Sequence, residues 1–384
     1  MDTAYLYSKK ALIDVIAIAF LTLTLSNCGS SSGTPVFDSV TRQLMQTSLD
    51  SCVSEIGVPG ATMTIERPDG AKWVGVSGFA NLENQIPMSS DLKFRVASVT
   101  KTFTATVILQ LVQEGRFSLD DSVESILPGL IPNGTQISIR RLLNHTSGIF
   151  DYVQALNPNF LLGVTQNRLR KWTPSELVAV ATANQIYFAP GGGWHYSNTN
   201  YVLLGMIIEK VTGNTYAREI NSRILSPLGL INTSVLEMAD MPVGSTQGYW
   251  YVPPNWINTT MLDLSWMFAT ANIVSNSEDL LVWLTALMAG TLLDQQRKMD
   301  MFSFVNQATP DNHKYYGLGL ENQNGVIGHT GDLVFGGQAA VYEYNGWKFI
   351  VLTNASPSKD IQPWGFGSEL ILFKTMAALG LITL

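Results

Sequence analysis

The chain has 384 residues, 46% hydrophobic and 14% charged, which suits one large globular domain or two interleaved lobes and argues against disorder as its main theme. The net charge of -7, with no run of Lys or Arg interleaved with aromatics, argues against a nucleic-acid partner. Two cysteines, Cys28 and Cys52, cannot build a disulfide framework, and the four histidines show no HExxH or CxxC spacing, so no metal and no other cofactor is expected.

Residues 1–28 read as an export signal, because Lys9 and Lys10 precede the apolar run ALIDVIAIAFLTLTL, which carries Asp14 and is short for a bilayer span. Cys28, followed by the Gly/Ser-rich GSSSGT, resembles the lipidated cysteine of bacterial lipoproteins. That resemblance implies a flexible tether at 29–36 and an enzyme held to the cell envelope membrane of the bacterial periplasm by an N-terminal lipid anchor. Asn27 departs from the pattern, and ordinary cleavage or a retained anchor are the alternatives; without lipidation a bridge between Cys28 and Cys52 stays open.

Residues 37–56 place apolar positions at helical spacing and stop at Gly57-Val58-Pro59-Gly60. The next stretch, ATMTIERPDGAKWVGVSGFANLEN, alternates around Pro68-Asp69-Gly70 and predicts a hairpin. From Ser98 to about Gly290 the pattern is predominantly helical, with TATVILQLVQEG, TPSELVAVATANQ, NYVLLGMIIEKVTG and SEDLLVWLTALMAG set apart by Pro/Gly/Asn loops. Strands return in YYGLGLEN, GQAAVYEYNG and WKFIVLTNAS before a helical GSELILFKTMAAL. The order predicts an α/β (α+β) fold in residues 37–384: a sheet lobe from about 37–95 and 305–384, flanked by terminal helices, with an inserted all-helical lobe at about 96–304. An active site is expected where the lobes meet.

Three short segments carry the chemistry. Ser98 follows the extended LKFRVA and opens an apolar helix, and Lys101, three residues on, rises on the same face. Burial at the front of that helix would lower the Lys101 pKa and make it a base. Such a pair alone is commonly a helix cap, and a second one, Ser356 to Lys359, reads as a plain loop beside Pro357. Tyr196 and Asn198 flank Ser197 in GGGWHYSNTN, from which a phenol and an amide could enter a cleft. His329-Thr330-Gly331 lies at the edge of an apolar strand, where Gly331 allows close approach to the backbone and the Asp332 N–H can join the Ser98 N–H as an oxyanion donor. The GSSSG at 29–33 fits a nucleophile elbow formally, but no strand and helix flank it.

Together Ser98-Val99-Thr100-Lys101, Tyr196-Ser197-Asn198 and His329-Thr330-Gly331 resemble the SxxK, YxN and HTG boxes of the serine β-lactamase and penicillin-binding protein superfamily, in its YxN branch. The stretches FRVASVTKTF, LVQEGRFSLDDSV, LLNHTSGI and YGLGL extend the likeness over roughly residues 40–380, nearest to HTG-type D-alanyl-D-alanine carboxypeptidases. The resemblance implies an antiparallel sheet and a Ser98 acyl-enzyme, with Lys101 and Tyr196 passing the proton, Asn198 holding the acyl side chain, and His329 and Thr330 shaping the leaving-group pocket. It also implies a small peptide, amide or ester substrate, and a β-lactam as ligand.

Two departures bear on substrate. Glu321 follows YGLGL where carboxypeptidases carry a basic residue, and Asp332 follows HTG where they carry a small hydroxyl residue. Two acids there would repel a terminal carboxylate unless they point away or are paired. A D-aminopeptidase or an esterase, a class C-like β-lactamase, and a penicillin-binding sensor that does not turn over are therefore carried as alternatives. By the same resemblance Trp266, in LDLSWMFATANIVSN, is the candidate pocket aromatic, while His145 belongs to a structural turn.

Overall fold

The computed structural model describes residues 34–155, 168–307, 314–359 and 366–383. The export signal, Cys28 and the tether up to residue 33 lie outside the described residues.

Helix α1 (Ser39–Ile56) starts because the Asp38 carboxylate accepts the Thr41 N–H at 2.8 Å, and ends at Gly57, whose φ of 67° suits a residue without Cβ. The expected hairpin follows as β1 (Gly60–Glu66) and β2 (Lys72–Asn81), turning at Arg67–Gly70, with a short β3 (Ile86–Pro87) beyond. Strands β9 (Val305–Asn306), β10 (Lys314–Tyr316), β11 (Glu321–Gln323), β12 (Val326–Leu333), β13 (Gly337–Tyr344) and β14 (Trp347–Thr353) return late in the chain. They complete a nine-stranded sheet in the order β3-β2-β1-β14-β13-β12-β11-β10-β9. Every pairing is antiparallel, and β1 against β14, with Met63 opposite Val351, joins the two ends of the chain.

Side-chain alternation gives this sheet two buried faces. Ala340, Tyr342, Phe349 and Val351 pack with α1 and the C-terminal helix α6 (Gly367–Ala378), while Ala339, Val341, Ile350 and Leu352 pack toward the helical segment. That segment contains α2 (Thr100–Gln113), α3 (Pro174–Thr182), α4 (Asn198–Thr212) and α5 (Ser277–Ala289), joined by shorter turns. Helix α2 is buried nearly all round, from Thr100 to Leu109, so it forms the centre of this part and offers no solvent stripe.

The middle of the chain is not purely helical. β4 (Phe94–Arg95), β8 (Ile273–Ser275) and β5 (Ser234–Val235) form one small sheet, and β6 (Tyr249–Val252) with β7 (Asn255–Asn258) forms another. Elements of two to four residues are too short to show a period in sequence.

Candidate active site

Ser98 sits in a helical turn, Ala97–Val99, that leads directly into α2. Ala97 before it holds φ at 48°, a left-handed conformation unusual for a residue with a Cβ, so the backbone is strained at the entry to Ser98. Strand β12 comes up against this turn at Gly331: a Cβ there would fall 2.1 Å from the Val96 carbonyl oxygen. Only glycine permits that approach.

Lys101 is fully buried, and its ammonium reaches three acceptors: Ser98 Oγ at 2.9 Å, Asn198 Oδ1 at 2.8 Å and the Thr270 carbonyl at 3.1 Å. Burial is the main cause that brings its pKa down from 10.5 to about 7, against the opposing pull of Asp151 and Glu321. Tyr196 stands on the other side, its ring centroid 4.9 Å from Lys101 Nζ and its phenol in contact with the Ser98 hydroxyl. Burial drives this phenol well above its usual range, while the Ser98 contact lowers it only in part. Lys101 is therefore the group here that can lose its proton near neutrality, and Tyr196 keeps its own.

Asn198 opens α4 and acts as a bridge. Its Oδ1 accepts from Lys101, and its Nδ2 donates to the Asp151 carboxylate at 3.1 and 3.3 Å, so most of its carboxamide is already engaged inside the protein. Asp151, which the sequence did not single out, also accepts the backbone N–H groups of Asn198 and Val153 at 3.1 Å. Burial raises its pKa against those hydrogen bonds. His145 lies behind Tyr196 at 4.3 Å between rings; its Nδ1 accepts the Ser197 N–H at 3.2 Å, and burial keeps the imidazole neutral.

His329 is buried with both ring nitrogens occupied. Its Nδ1 contacts the Thr330 carbonyl at 2.5 Å, which only accepts, so Nε2 is left to accept the Tyr316 hydroxyl at 2.8 Å. Burial lowers its pKa, leaving a neutral ring and no cation at this box. The Thr330 N–H leaves the edge of β12 toward Glu321 Oε2 at 3.2 Å, and the two-residue period of the strand turns the Asp332 N–H to that same edge. The Asp332 side chain is paired with neutral partners, Gln338 Nε2 and Ser356 Oγ, each at 2.8 Å, and burial raises its pKa.

A cavity of about 320 Å³ opens beside Ser98, lined at its inner end by Trp194, Tyr196 and Asn198 and at its far end by Glu321, Thr330 and Glu369. Trp266 does not line it: this ring is buried in the core, 6.3 Å from Phe335, and its carbonyl accepts the Tyr152 hydroxyl. Trp194, two residues before Tyr196, is the tryptophan in the wall, beside Tyr196, Tyr342 and Phe366. Among the described residues no three His, Cys, Asp or Glu side chains converge as metal ligands would.

The beta-lactamase family model matches residues 37–365. The chain belongs to the beta-lactamase family. A D-stereospecific amidohydrolase from Streptomyces sp. is 36% identical, with TM-score 0.77 over 86% of this chain and 97% of that one. The D-amino acid amidase from Ochrobactrum anthropi SV3, in complex with L-phenylalanine amide, is 28% identical, with TM-score 0.79 over 89% and 99%. A penicillin-binding protein of Bacillus subtilis (strain 168) is 31% identical over 277 residues, which is 66% of this chain and 58% of the relative's length. The protein is thus a β-lactamase-fold serine hydrolase, similar to penicillin-binding proteins and D-amino acid amidases.

Proposed function

We propose that the protein hydrolyses small amides of D-amino acids through an acyl-enzyme on Ser98. The observation that carries this reading is the buried contact of Lys101 Nζ with Ser98 Oγ at 2.9 Å, in a lysine whose pKa burial lowers to about 7. Neutral Lys101 takes the Ser98 proton as Oγ bonds to the substrate carbonyl carbon. The Ser98 and Asp332 N–H groups hold the oxyanion, and the protonated Tyr196, in contact with Ser98, delivers a proton to the leaving nitrogen as the C–N bond breaks. The Lys101 ammonium then returns its proton to the Tyr196 phenolate, and water hydrolyses the ester with neutral Lys101 again the base, its new proton going back to Ser98 Oγ as the C–O bond breaks. Asn198 fixes Lys101 in place and presents to the substrate what Asp151 leaves free of its amide.

An amide substrate is favoured over a peptide ending in a carboxylate because His329 is neutral and the far end of the cavity carries two acids, Glu321 and Glu369. The likeness to a D-stereospecific amidohydrolase and to a D-amino acid amidase supports the same choice. D-alanyl-D-alanine carboxypeptidase action is the second reading, kept because Lys314 lines that end and a penicillin-binding protein is among the relatives. The N-terminal segment supports a place outside the cytoplasm for either reaction.

The test is a panel of D- and L-phenylalanine amide, a short-chain ester and N-acetyl-D-alanyl-D-alanine, followed by product release. Faster release from the D-amide than from its enantiomer and from the dipeptide is expected. Release of D-alanine alone would move the assignment to the carboxypeptidase, and release from none of them would end the hydrolase reading.

A further inference from the structure

The far end of the cavity is built around a chain of four oxygens. Glu369 Oε1 lies 2.6 Å from Thr330 Oγ1, Thr330 Oγ1 lies 2.5 Å from the Tyr342 hydroxyl, and that hydroxyl contacts Glu321 Oε2. Each link brings two oxygens to hydrogen-bonding distance, so each needs one hydrogen between them. The two hydroxyls supply two hydrogens for these three shortest links, beside which Thr330 Oγ1 to Glu321 Oε2 at 3.2 Å and the Tyr342 hydroxyl to Glu369 Oε1 at 3.5 Å are the long diagonals. If both carboxyls were ionised, one link would hold facing lone pairs in a buried place, and repulsion would open it. A third proton therefore resides on a carboxyl.

Glu369 is the carboxyl that holds it. Glu321 Oε2 also accepts the Thr330 N–H at 3.2 Å, and Glu321 Oε1 has His329 Nδ1 at 3.9 Å, whereas among the described residues Glu369 meets the two hydroxyls. Glu369 is 6% exposed, against 24% for the Glu321 side chain. The proton order is then Glu369 donating to Thr330, Thr330 to Tyr342, and Tyr342 to the Glu321 carboxylate. Burial first, then the nearby Glu321 charge, raises Glu369 from 4.5 to about 7, which agrees with the count.

We propose that Glu369 determines which substrate end this pocket accepts, its shared proton setting the charge that the substrate's far end meets. The charged groups at that end are Glu321, Glu369 and the Lys314 ammonium from β10, while Asp332 is taken up by Gln338 and Ser356 and His329 is neutral. With Glu369 protonated, one carboxylate stands against one ammonium. With Glu369 ionised, the balance turns negative and a carboxylate-ended substrate is repelled, whereas a neutral amide is not. This deepens the amide reading of the same site and rests on it.

The experiment compares N-acetyl-D-alanyl-D-alanine with its C-terminal amide by release of D-alanine or D-alanine amide. Taking the ratio of the two kcat/KM values cancels the titration of Lys101, which both substrates need. In the wild type the ratio of amide to acid is expected to rise by about tenfold between about pH 6 and 8.5, the effect of one added charge at screened range. Glu369→Gln, whose amide N–H can donate to Thr330 as the acid does, should lose that rise, and Glu321→Gln should lower the ratio at every pH. A ratio independent of pH in the wild type, or a rise that persists in Glu369→Gln, would overturn the proposal.

Carboxyl carbon NMR on Ser98→Ala labelled at glutamate gives a readout that does not need catalysis. A resonance titrating near pH 7 and absent after Glu369→Gln supports the shared proton even if neither peptide is cleaved, in which case only the hydrolase reading fails. No such resonance would overturn the proposal whatever the rates.

Discussion

The two ends of the cavity are built differently. At the inner end, Ser98 and Lys101 come from one turn of chain and meet Tyr196 and Asn198 from a second short segment, so the reacting atoms are placed by local geometry at the start of α2 and α4. At the far end, Glu321, Thr330 and Tyr342 come from three strands and Glu369 from the C-terminal helix, so their meeting depends on the whole sheet being assembled. Under the proposed function, chemistry is encoded at short range and selectivity at long range. Substitutions at the inner end should therefore change rate on all substrates, and those at the far end should change preference among them.

The largest effect that would break this contrast belongs to Lys101. Lys101→Met keeps the volume of the buried stem but removes the base, and kcat/KM should fall by at least about a thousandfold on amide, ester and dipeptide alike. In the wild type the same lysine should give a limb in the pH profile of kcat/KM that rises through about pH 7, because the deprotonated form is the active one. A limb confined to one substrate would place Lys101 in recognition instead.

Gly331 should come next. An alanine there puts its Cβ 2.1 Å from the Val96 carbonyl, so β12 must draw back from the Ser98 turn and carry the Asp332 N–H with it. Loss of one oxyanion donor costs on the order of a hundredfold in kcat, and KM should move less; steady-state kinetics beside a melting curve would separate this from simple misfolding.

A smaller effect should sharpen the picture at Asp151. Asp151→Asn leaves a carbonyl oxygen to accept the Asn198 N–H but removes the negative charge that raises Lys101, so the limb of the pH profile should move to lower pH. The plateau should change by less than about tenfold. A limb that stays in place would mean that Asn198 screens Lys101 from Asp151.

The same contrast explains what could be read from sequence. The strand and helix order was legible because the long elements show their periods: α1 at 3.6, the hairpin at 2, and β12 to β14 as apolar runs between turns. The Ser98 to Lys101 and Tyr196 to Asn198 pairs were legible because each lies within one short segment, and the structure brings the two pairs together. Trp266 shows the limit. It looked like a pocket ring, but its burial against Phe335 is a property of the folded core, while Trp194 in the wall had only its place before Tyr196 to mark it. Glu369 carried no signal, since an acid in the first turn of a helix is what the dipole favours anywhere. Asp151 is hidden for a different reason: its partner Asn198 lies 47 residues away, and only the fold brings them together.

The central claim is that Ser98 becomes acylated with Lys101 as its base. Intact-protein mass spectrometry after exposure to a fluorescent penicillin, on the wild type and on Ser98→Ala, tests it most directly. A mass increase of one acyl group on the wild type, mapped to the peptide containing Ser98 and absent from the variant, is the predicted result. An adduct that persists in Ser98→Ala, or a folded wild type that takes no adduct from the penicillin and none from a D-amino acid ester, would contradict it.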